Sequence, residues 1–252
     1  MPSLDQFKEV FITVSTRYFI FAGIAWFIWY VLLRKKIQYK KIQKRFPINK
    51  DYRRELLYSL STMCFFAIVP VLILFTPFRQ YTQYYPKIHT HSMLYFWLAI
   101  PLMFIIHDTY FYWTHRLMHH PKLFKIIHLV HHKSINPSPW TAYAFHPFEA
   151  IFEAGIILVL LMIMPLTKLH LLIFFLVMIA YNVYGHLGWE LYPKNFSKHW
   201  LGKWINTSVN HNQHHQYFKG NYGLYFLWWD RWMNTIRKDY ETSFEEIKRR
   251  SV

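Results

Sequence analysis

Five long apolar runs alternate with short polar segments along the chain. The first run covers residues 18–33 and can be extended back to about residue 10; the others cover residues 56–78, 93–106, 148–164 and 169–184. A helix needs about 20 apolar residues to cross a hydrocarbon core about 30 Å thick. The pattern therefore predicts an all-α, multi-pass membrane helical bundle. Pro70 lies inside the second run, where a proline is expected to kink the helix.

The third run continues beyond its apolar part, and the fourth and fifth runs are separated by a short connection. The third run continues without a helix breaker through residues 107–113, so this helix is expected to leave the bilayer and enter a polar helical cap. Only residues 165–168 separate the fourth run from the fifth. These two runs are therefore expected to form a tight hairpin, which crosses the bilayer either fully or in part.

Basic residues are concentrated in one segment. The net charge is +16, and residues 34–54 hold ten Lys or Arg, whereas residues 78–92 hold two. Because short cytoplasmic loops are enriched in Lys and Arg, residues 34–54 are predicted to be cytoplasmic. Counting spans places residues 114–147 and the C-terminal part on the same side. A nucleic-acid surface is disfavoured, since the charge is not spread over a soluble face.

Histidine, with 16 copies, is the abundant potential metal ligand, whereas a single cysteine excludes an internal disulfide and a cysteine-built metal site. Residues at i, i+3 and i+4 share one helix face. Three such faces could present eight imidazoles to one volume, and a single metal site takes three or four ligands. The sequence therefore predicts a di-metal centre. The eight histidines are His115 and His119; His128, His131 and His132; and His211, His214 and His215.

Asp108 is a candidate catalytic residue near the first group. It precedes His115 by seven residues, so it lies on the same helical stripe, where a carboxylate would ligate a metal or orient a ligand imidazole. His107 is turned away from this stripe by about 80° and is not expected to join. The isolated histidines, which are expected to have no metal role, are His89, His91, His170 and His199.

Three candidates lie at the ends of the last two apolar runs. His186 ends the fifth run and is expected to be a metal ligand. Glu190 follows one turn later and is expected to be either a ligand or a carboxylate that orients one. His146 directly precedes Pro147, and it is either a ligand or a residue of the helix start.

The position of these groups indicates their chemistry. Imidazole suits zinc, copper, iron and nickel, so the ligands alone do not select the metal. The groups follow directly on membrane helices, where a lipid chain could reach the metals from the apolar side. Attack on an unactivated C–H bond needs an oxidant that no side chain supplies. Two iron ions with O2 meet that need.

The motifs resemble those of the fatty acid hydroxylase/sterol desaturase superfamily over residues 93–235. They are HDTYFYWTHRLMHH (107–120), HLVHH (128–132), AFHPFEA (144–150), GHLGWE (185–190) and HNQHHQYFKGNYGLYFLWWDRWMNT (211–235). The resemblance is nearest to the sterol C5-desaturase and C4-methyl sterol oxidase branches. We accordingly divide the chain into N-terminal spans with the basic loop (1–92), a catalytic domain (93–235) and a polar C-terminal tail (236–252).

This resemblance implies an O2-dependent membrane oxidoreductase that hydroxylates or desaturates a lipid, such as a sterol or a fatty acyl chain. It implies two iron ions held by the eight grouped histidines and His186, and zinc is expected to occupy the same imidazoles in purified protein. No fused cytochrome b5-like or ferredoxin-like segment is recognisable, so a separate electron donor of either kind, with its reductase, is expected.

Two other functions are compatible with a histidine-rich membrane protein. A histidine-lined metal transporter should carry its ligands near the bilayer midplane on broken helices, whereas these groups lie at the ends of apolar runs. An inactive lipid-binding scaffold would keep the fold without turnover, and the intact histidine groups argue against it. A membrane zinc hydrolase is least supported, because the chain lacks H-E-x-x-H.

Overall fold

The computed structural model describes residues 2–250, which are helical and contain no β-strand, as the apolar pattern predicts. A π-helix, Phe27–Leu32, prolongs the first α-helix. The α-helices are α1 (Leu4–Trp26), α2 (Arg34–Ile37), α3 (Asn49–Leu74), α4 (Met93–Met118), α5 (Pro121–Ile127), α6 (Leu129–His132), α7 (Pro147–Ile163), α8 (Lys168–Gly185), α9 (Ser208–Tyr217), α10 (Trp228–Trp232) and α11 (Tyr240–Arg249).

Four helices in this part of the chain are long and apolar enough to cross a membrane: α1 with its π-helical extension, α3, α4 and α8. Helix α7, with 17 residues, is shorter and is joined to α8 by the predicted short connection, residues 164–167. The two helices do not pack closely as a tight hairpin; both line one cavity and pack against α4. Helix α4 continues past the apolar run to Met118, so the predicted extension into a polar cap is confirmed.

Two membrane helices begin earlier than their apolar runs predict. Helix α1 begins at Leu4 because the Ser3 hydroxyl accepts from the Gln6 N–H (3.2 Å) while the Gln6 side chain accepts from the Ser3 N–H (2.8 Å). Helix α3 begins at Asn49, where Asp51 accepts from the Ile48 N–H. The apolar pattern misses these first turns because their residues are polar.

The basic loop and the histidine groups lie at the same end of the bundle. The Ile42 N–H donates to the Gly188 carbonyl (2.9 Å), and the Gln43 side chain donates to Asn212 in α9 (2.9 Å). At the opposite end, the Gln83 N–H donates to the Leu161 carbonyl (2.7 Å), close to the turn between α7 and α8. This agrees with the predicted two-sided arrangement; the cytoplasmic location stays a prediction.

Lys41 anchors the basic loop from inside the protein. Its side chain is fully buried, and its Nζ donates to the Gln43 carbonyl (3.1 Å) and to the Asn136 side chain (2.9 Å). Burial lowers the pKa of Lys41 to about 7. The buried lysine therefore ties the loop between α1 and α3 to the segment that follows α6.

One apolar core joins both sides of the proposed boundary at residue 92. Tyr18 of α1 is fully buried, donates to the Trp140 carbonyl (2.8 Å) and stacks on Tyr143 (4.9 Å between ring centroids). The polar C-terminal segment is also anchored, because Tyr240 and Phe244 of α11 are buried against α9. The division of the chain into domains stays a prediction.

Candidate metal centre

The structure brings nine predicted ligands together in two groups of imidazoles. Within each group, one nitrogen of every ring lies within 4.8 Å of the others, so each group could hold one metal ion. We call the first group cluster A and the second cluster B. Cluster A comprises His115, His119, His128, His132 and His214; cluster B comprises His131, His186, His211 and His215.

Helical spacing explains how the histidines divide between the clusters. Residues four apart, such as His211 and His215, enter the same cluster, whereas His214 between them enters the other. Positions i+3 and i+4 are 100° apart around a helix, so adjacent histidines diverge towards two centres. His128 and His132 likewise share cluster A, although His128 lies at the junction of α5 and α6.

Backbone carbonyls orient many of these rings. A carbonyl only accepts, so a ring whose Nδ1 bonds to one carries its proton on Nδ1 and a free lone pair on Nε2. The same tautomer is thereby selected in both clusters. These Nδ1 contacts are His115 to Tyr222 (2.9 Å), His214 to Gly220 (2.8 Å), His215 to Ser134 (3.0 Å) and His186 to Asn182 (2.8 Å).

Within each cluster, Nε2 atoms of neighbouring rings point at one another. They are 3.0 Å apart between His115 and His128 and 3.1 Å apart between His186 and His215. Two lone pairs at this distance repel unless a cation lies between them. The donor set therefore fits a metal that prefers nitrogen ligands, such as iron or zinc, and not the oxygen-seeking Mg²⁺ or Ca²⁺.

Burial keeps the imidazoles neutral. It lowers the pKa of His186 to about 4, and together with the neighbouring imidazoles it holds the pKa of His128 and His215 well below the usual range. Metals bind only the deprotonated ring nitrogen. The clusters therefore keep their lone pairs available at physiological pH.

Glu149 is a further candidate residue of the site, and the histidine spacing does not indicate it. Its Oε1 lies 2.6 Å from the Nδ1 of His128, and its side chain is 1% exposed. A carboxylate in this position fixes the ring orientation and raises the basicity of the ligating nitrogen. Glu149 lies within the quoted motif AFHPFEA, in the first turn of α7. A carboxylate in that motif, beside the histidine groups, is the sequence feature that could have indicated this role.

Asp108 does not contact either cluster, contrary to the prediction. Its carboxylate accepts from the backbone N–H groups of Tyr225 (2.7 Å) and Phe226 (3.1 Å) and from the indole of Trp228 (2.8 Å). It therefore ties the segment after α9 to α4. Because that segment supplies the carbonyl of Tyr222 that orients His115, Asp108 acts on the centre only through the backbone.

Glu190 is also placed differently from the prediction. It accepts from the Tyr184 hydroxyl (2.6 Å), the Tyr192 N–H (3.0 Å) and the Val209 N–H (3.1 Å), and contacts no imidazole of the clusters. Burial raises its pKa. Val209 lies in the first turn of α9, so Glu190 positions the helix that carries three of the ligands.

The structure assigns His146 to the helix start. It caps α7, where its Nδ1 accepts from the Phe148 N–H (3.3 Å), and it belongs to neither cluster. Among the isolated histidines, His170 is buried and bonded to Thr167, and His91 and His199 are exposed outside the clusters. The side chain of His89 lies outside the described residues.

An apolar cavity of about 260 Å³ ends beside the clusters. At its inner end, the ring of Phe111 lies 4.9 Å from that of His115, and the ring of Phe145 lies 5.0 Å from that of His131. Lys168, at the opposite end of the bundle, lines the same cavity. The cavity therefore runs through the helical bundle and ends one aromatic ring away from the clusters.

Comparison with known proteins places the chain among lipid-modifying enzymes. The fatty acid hydroxylase family model matches residues 100–235, which contain both clusters. A Delta(7)-sterol 5(6)-desaturase of Gibberella zeae is 31% identical over 94% of this chain and 72% of its own length. Lathosterol oxidase of Homo sapiens is 27% identical over 73% of this chain and 60% of its own length. No solved structure matches the chain significantly.

These matches confirm the resemblance that the histidine motifs carry. The family model covers more than half of the chain, and the Gibberella zeae relative aligns with nearly all of it. The chain belongs to the fatty acid hydroxylase family.

Proposed function

We propose that this membrane protein is an O2-dependent oxidoreductase that hydroxylates or desaturates a C–H bond of a lipid at a di-iron centre. The observation that carries the proposal is the pair of neutral imidazole clusters, which lie one aromatic ring beyond the inner end of an apolar cavity. Sterols are the first substrates to test, because the similar proteins are named as sterol desaturases and lathosterol oxidases.

The nine clustered histidines would hold the two irons, and Glu149 would orient His128. Iron with O2 supplies the oxidising power for C–H cleavage, which protein side chains lack. The cavity would bind the lipid, exclude water and direct one carbon towards the clusters. Hydroxylation consumes O2, two electrons and two protons and yields an alcohol and water; desaturation consumes the same and yields an alkene and two waters.

The two external electrons require a donor, for which the structure offers a basic patch. Phe124 and Phe218 form an aromatic pair, 6.0 Å between centroids, that contacts the ligands His119 (5.2 Å to Phe124) and His132 (5.1 Å to Phe218). Residues 109–148 and 191–229 contain no Asp or Glu. Four exposed lysines lie close to Phe124 or Phe218 along the chain: Lys122, Lys125, Lys133 and Lys219.

This patch would dock an acidic carrier of the cytochrome b5 or ferredoxin type, with its reductase, since charge complementarity speeds association. The patch, the basic loop and the clusters would then face the cytoplasm. The excess of Lys and Arg in the loop supports that side.

Lipid mass spectrometry under 18O2 tests the proposed function. Cells with and without the gene would be compared, together with a variant in which His128 and His131 are both alanine. Hydroxylation should add one 18O atom to a lipid, whereas desaturation should remove two hydrogens without adding label. Unchanged lipids in cells shown to contain iron-loaded protein would contradict the proposal.

A further inference from the structure

The inner end of the cavity carries two polar side chains that the metal centre does not use. His107 of α4 and Glu153 of α7 both line the cavity, and neither belongs to cluster A or B. Their neighbours along the cavity are largely apolar, for example Phe111, Ala154 and Ile157. Ionisable side chains in such surroundings are costly and mark binding sites or functional groups.

Of the two side chains, Glu153 has fewer hydrogen-bond partners. It lies one helical turn after Glu149 and is half-buried, yet its carboxyl makes no hydrogen bond or ion pair with any described residue. Arg17 lines the same cavity, but its guanidinium stacks over Phe175 (4.9 Å) and forms no ion pair within the described chain. A carboxyl in an apolar cavity without a partner carries a desolvation penalty.

His107 is anchored on one side only. Its Nδ1 lies 3.0 Å from the hydroxyl of Tyr225, and we assign the phenol as the donor because this hydroxyl has no other acceptor in the described chain. With the phenol donating to Nδ1, the ring proton lies on Nε2. No described residue bonds to that Nε2, so His107 offers a free N–H donor while Glu153 offers a free acceptor.

The two groups lie close to the metal centre. The ring of Phe111 lies 6.2 Å from that of His107 and 4.9 Å from that of the ligand His115, so one aromatic ring separates His107 from cluster A. On the facing helix, Glu149 contacts His128 and Glu153 follows one turn deeper. His107 is therefore one aromatic ring from cluster A, Glu153 is one helical turn from a residue that contacts it, and both line the same cavity.

We propose that Glu153 and His107 bind a hydroxyl group of the substrate, which makes the substrate a lipid alcohol rather than an unsubstituted hydrocarbon chain. A hydroxyl matches the pair, because it has one proton to donate to the Glu153 carboxyl and lone pairs to accept from the His107 Nε2–H. Binding there would hold the hydroxyl near the carbon that reacts. The inference rests on the proposed function and specifies its substrate.

Binding of a sterol alcohol tests this inference independently of turnover. The probes are lathosterol and its 3-deoxy analogue, titrated in lipid nanodiscs against the iron-loaded wild type and the variants Glu153→Gln, Glu153→Leu and His107→Phe. The wild type should prefer the alcohol by about 10- to 100-fold, the range of a hydrogen bond to a charged group. Glu153→Leu and His107→Phe should reduce this preference, and Glu153→Gln should reduce it less.

Met178→Leu is the matched control, since Met178 lines the cavity and the change conserves volume. It should change the affinity for both probes equally. Metal content near two ions per chain shows that each variant is folded around its centre. An equal affinity of the wild type for the two probes, or an undiminished preference in Glu153→Leu, would overturn the inference. Lipid turnover by the same wild-type sample would leave the proposed function standing.

Discussion

The Nδ1 of His128 lies 2.6 Å from the Oε1 of Glu149, and both side chains are at most 2% exposed. The carboxylate belongs to the first turn of the apolar helix α7, whereas the imidazole belongs to the histidine-rich cap. This pair therefore couples the ring orientation of a cluster A ligand to the position of α7.

Glu149→Gln should lower turnover or metal affinity by about 10- to 100-fold, as the loss of an orienting carboxylate does in other metal sites. The amide keeps the size of the side chain but removes its charge. Metal analysis and turnover of the purified variant would measure the effect. Glu246→Gln, at an exposed position of α11, is the control. A variant at position 149 with unchanged metal affinity and turnover would contradict the role of Glu149.

The division of the histidines between two clusters predicts different metal losses for two double variants. His132→Ala with His214→Ala removes two ligands of cluster A and should leave one ion per chain. His214→Ala with His215→Ala removes one ligand from each cluster, so it should weaken the binding of both ions instead of removing one of them. Elemental analysis of anaerobically iron-loaded protein measures this, with His199→Ala as the exposed control. The same stoichiometry in both double variants would rule out the partition.

Asp108→Asn should destabilise the protein by about 1–3 kcal/mol, because buried N–H donors lose a charged acceptor. Trp228→Phe removes only one of the three hydrogen bonds and should lower the thermal midpoint less. Thermal unfolding in detergent compares the two. An Asp108→Asn midpoint equal to that of the wild type would show that the segment after α9 does not depend on this carboxylate.

The stability of the basic loop should depend on pH through Lys41. Burial lowers its pKa from 10.5 to about 7, so between these values the unfolded chain holds a proton that the folded chain lacks. The free energy of unfolding should therefore rise with pH across that window. Thermal unfolding at pH 7, 8 and 9 should show a shallower rise in Lys41→Met than in the wild type. Parallel profiles would mean that Lys41 keeps its ordinary pKa.

Reversing charge on the basic patch should slow electron delivery without harming the centre. Lys122→Glu with Lys219→Glu should raise the KM for an acidic carrier about tenfold, an effect that high salt reduces. Single turnover with a chemical reductant should be unchanged. Lys198→Glu, exposed outside the patch, is the control. An unchanged KM in the double variant would show that the carrier does not dock at this patch.

The sequence by itself predicts the long apolar helices and the histidines that the structure gathers into two clusters. Apolar runs identify membrane helices because one helix must satisfy its own backbone in the bilayer. The spacing of His115 and His119, or of His211 and His215, indicates candidate ligands because it places both side chains on one face of one helix turn. Both signals depend only on residues that are close together along the chain, so they can be recognised without the tertiary structure.

Tertiary structure alone decided which partners meet. Asp108 was expected beside His115 in its own helix, yet its three donors lie 117 to 120 residues away. Glu149 reaches His128 across 21 residues, and adjacent His214 and His215 separate into different clusters. Helical periodicity fixes the direction of a side chain around its own axis. What lies in that direction depends on the packing of the other helices.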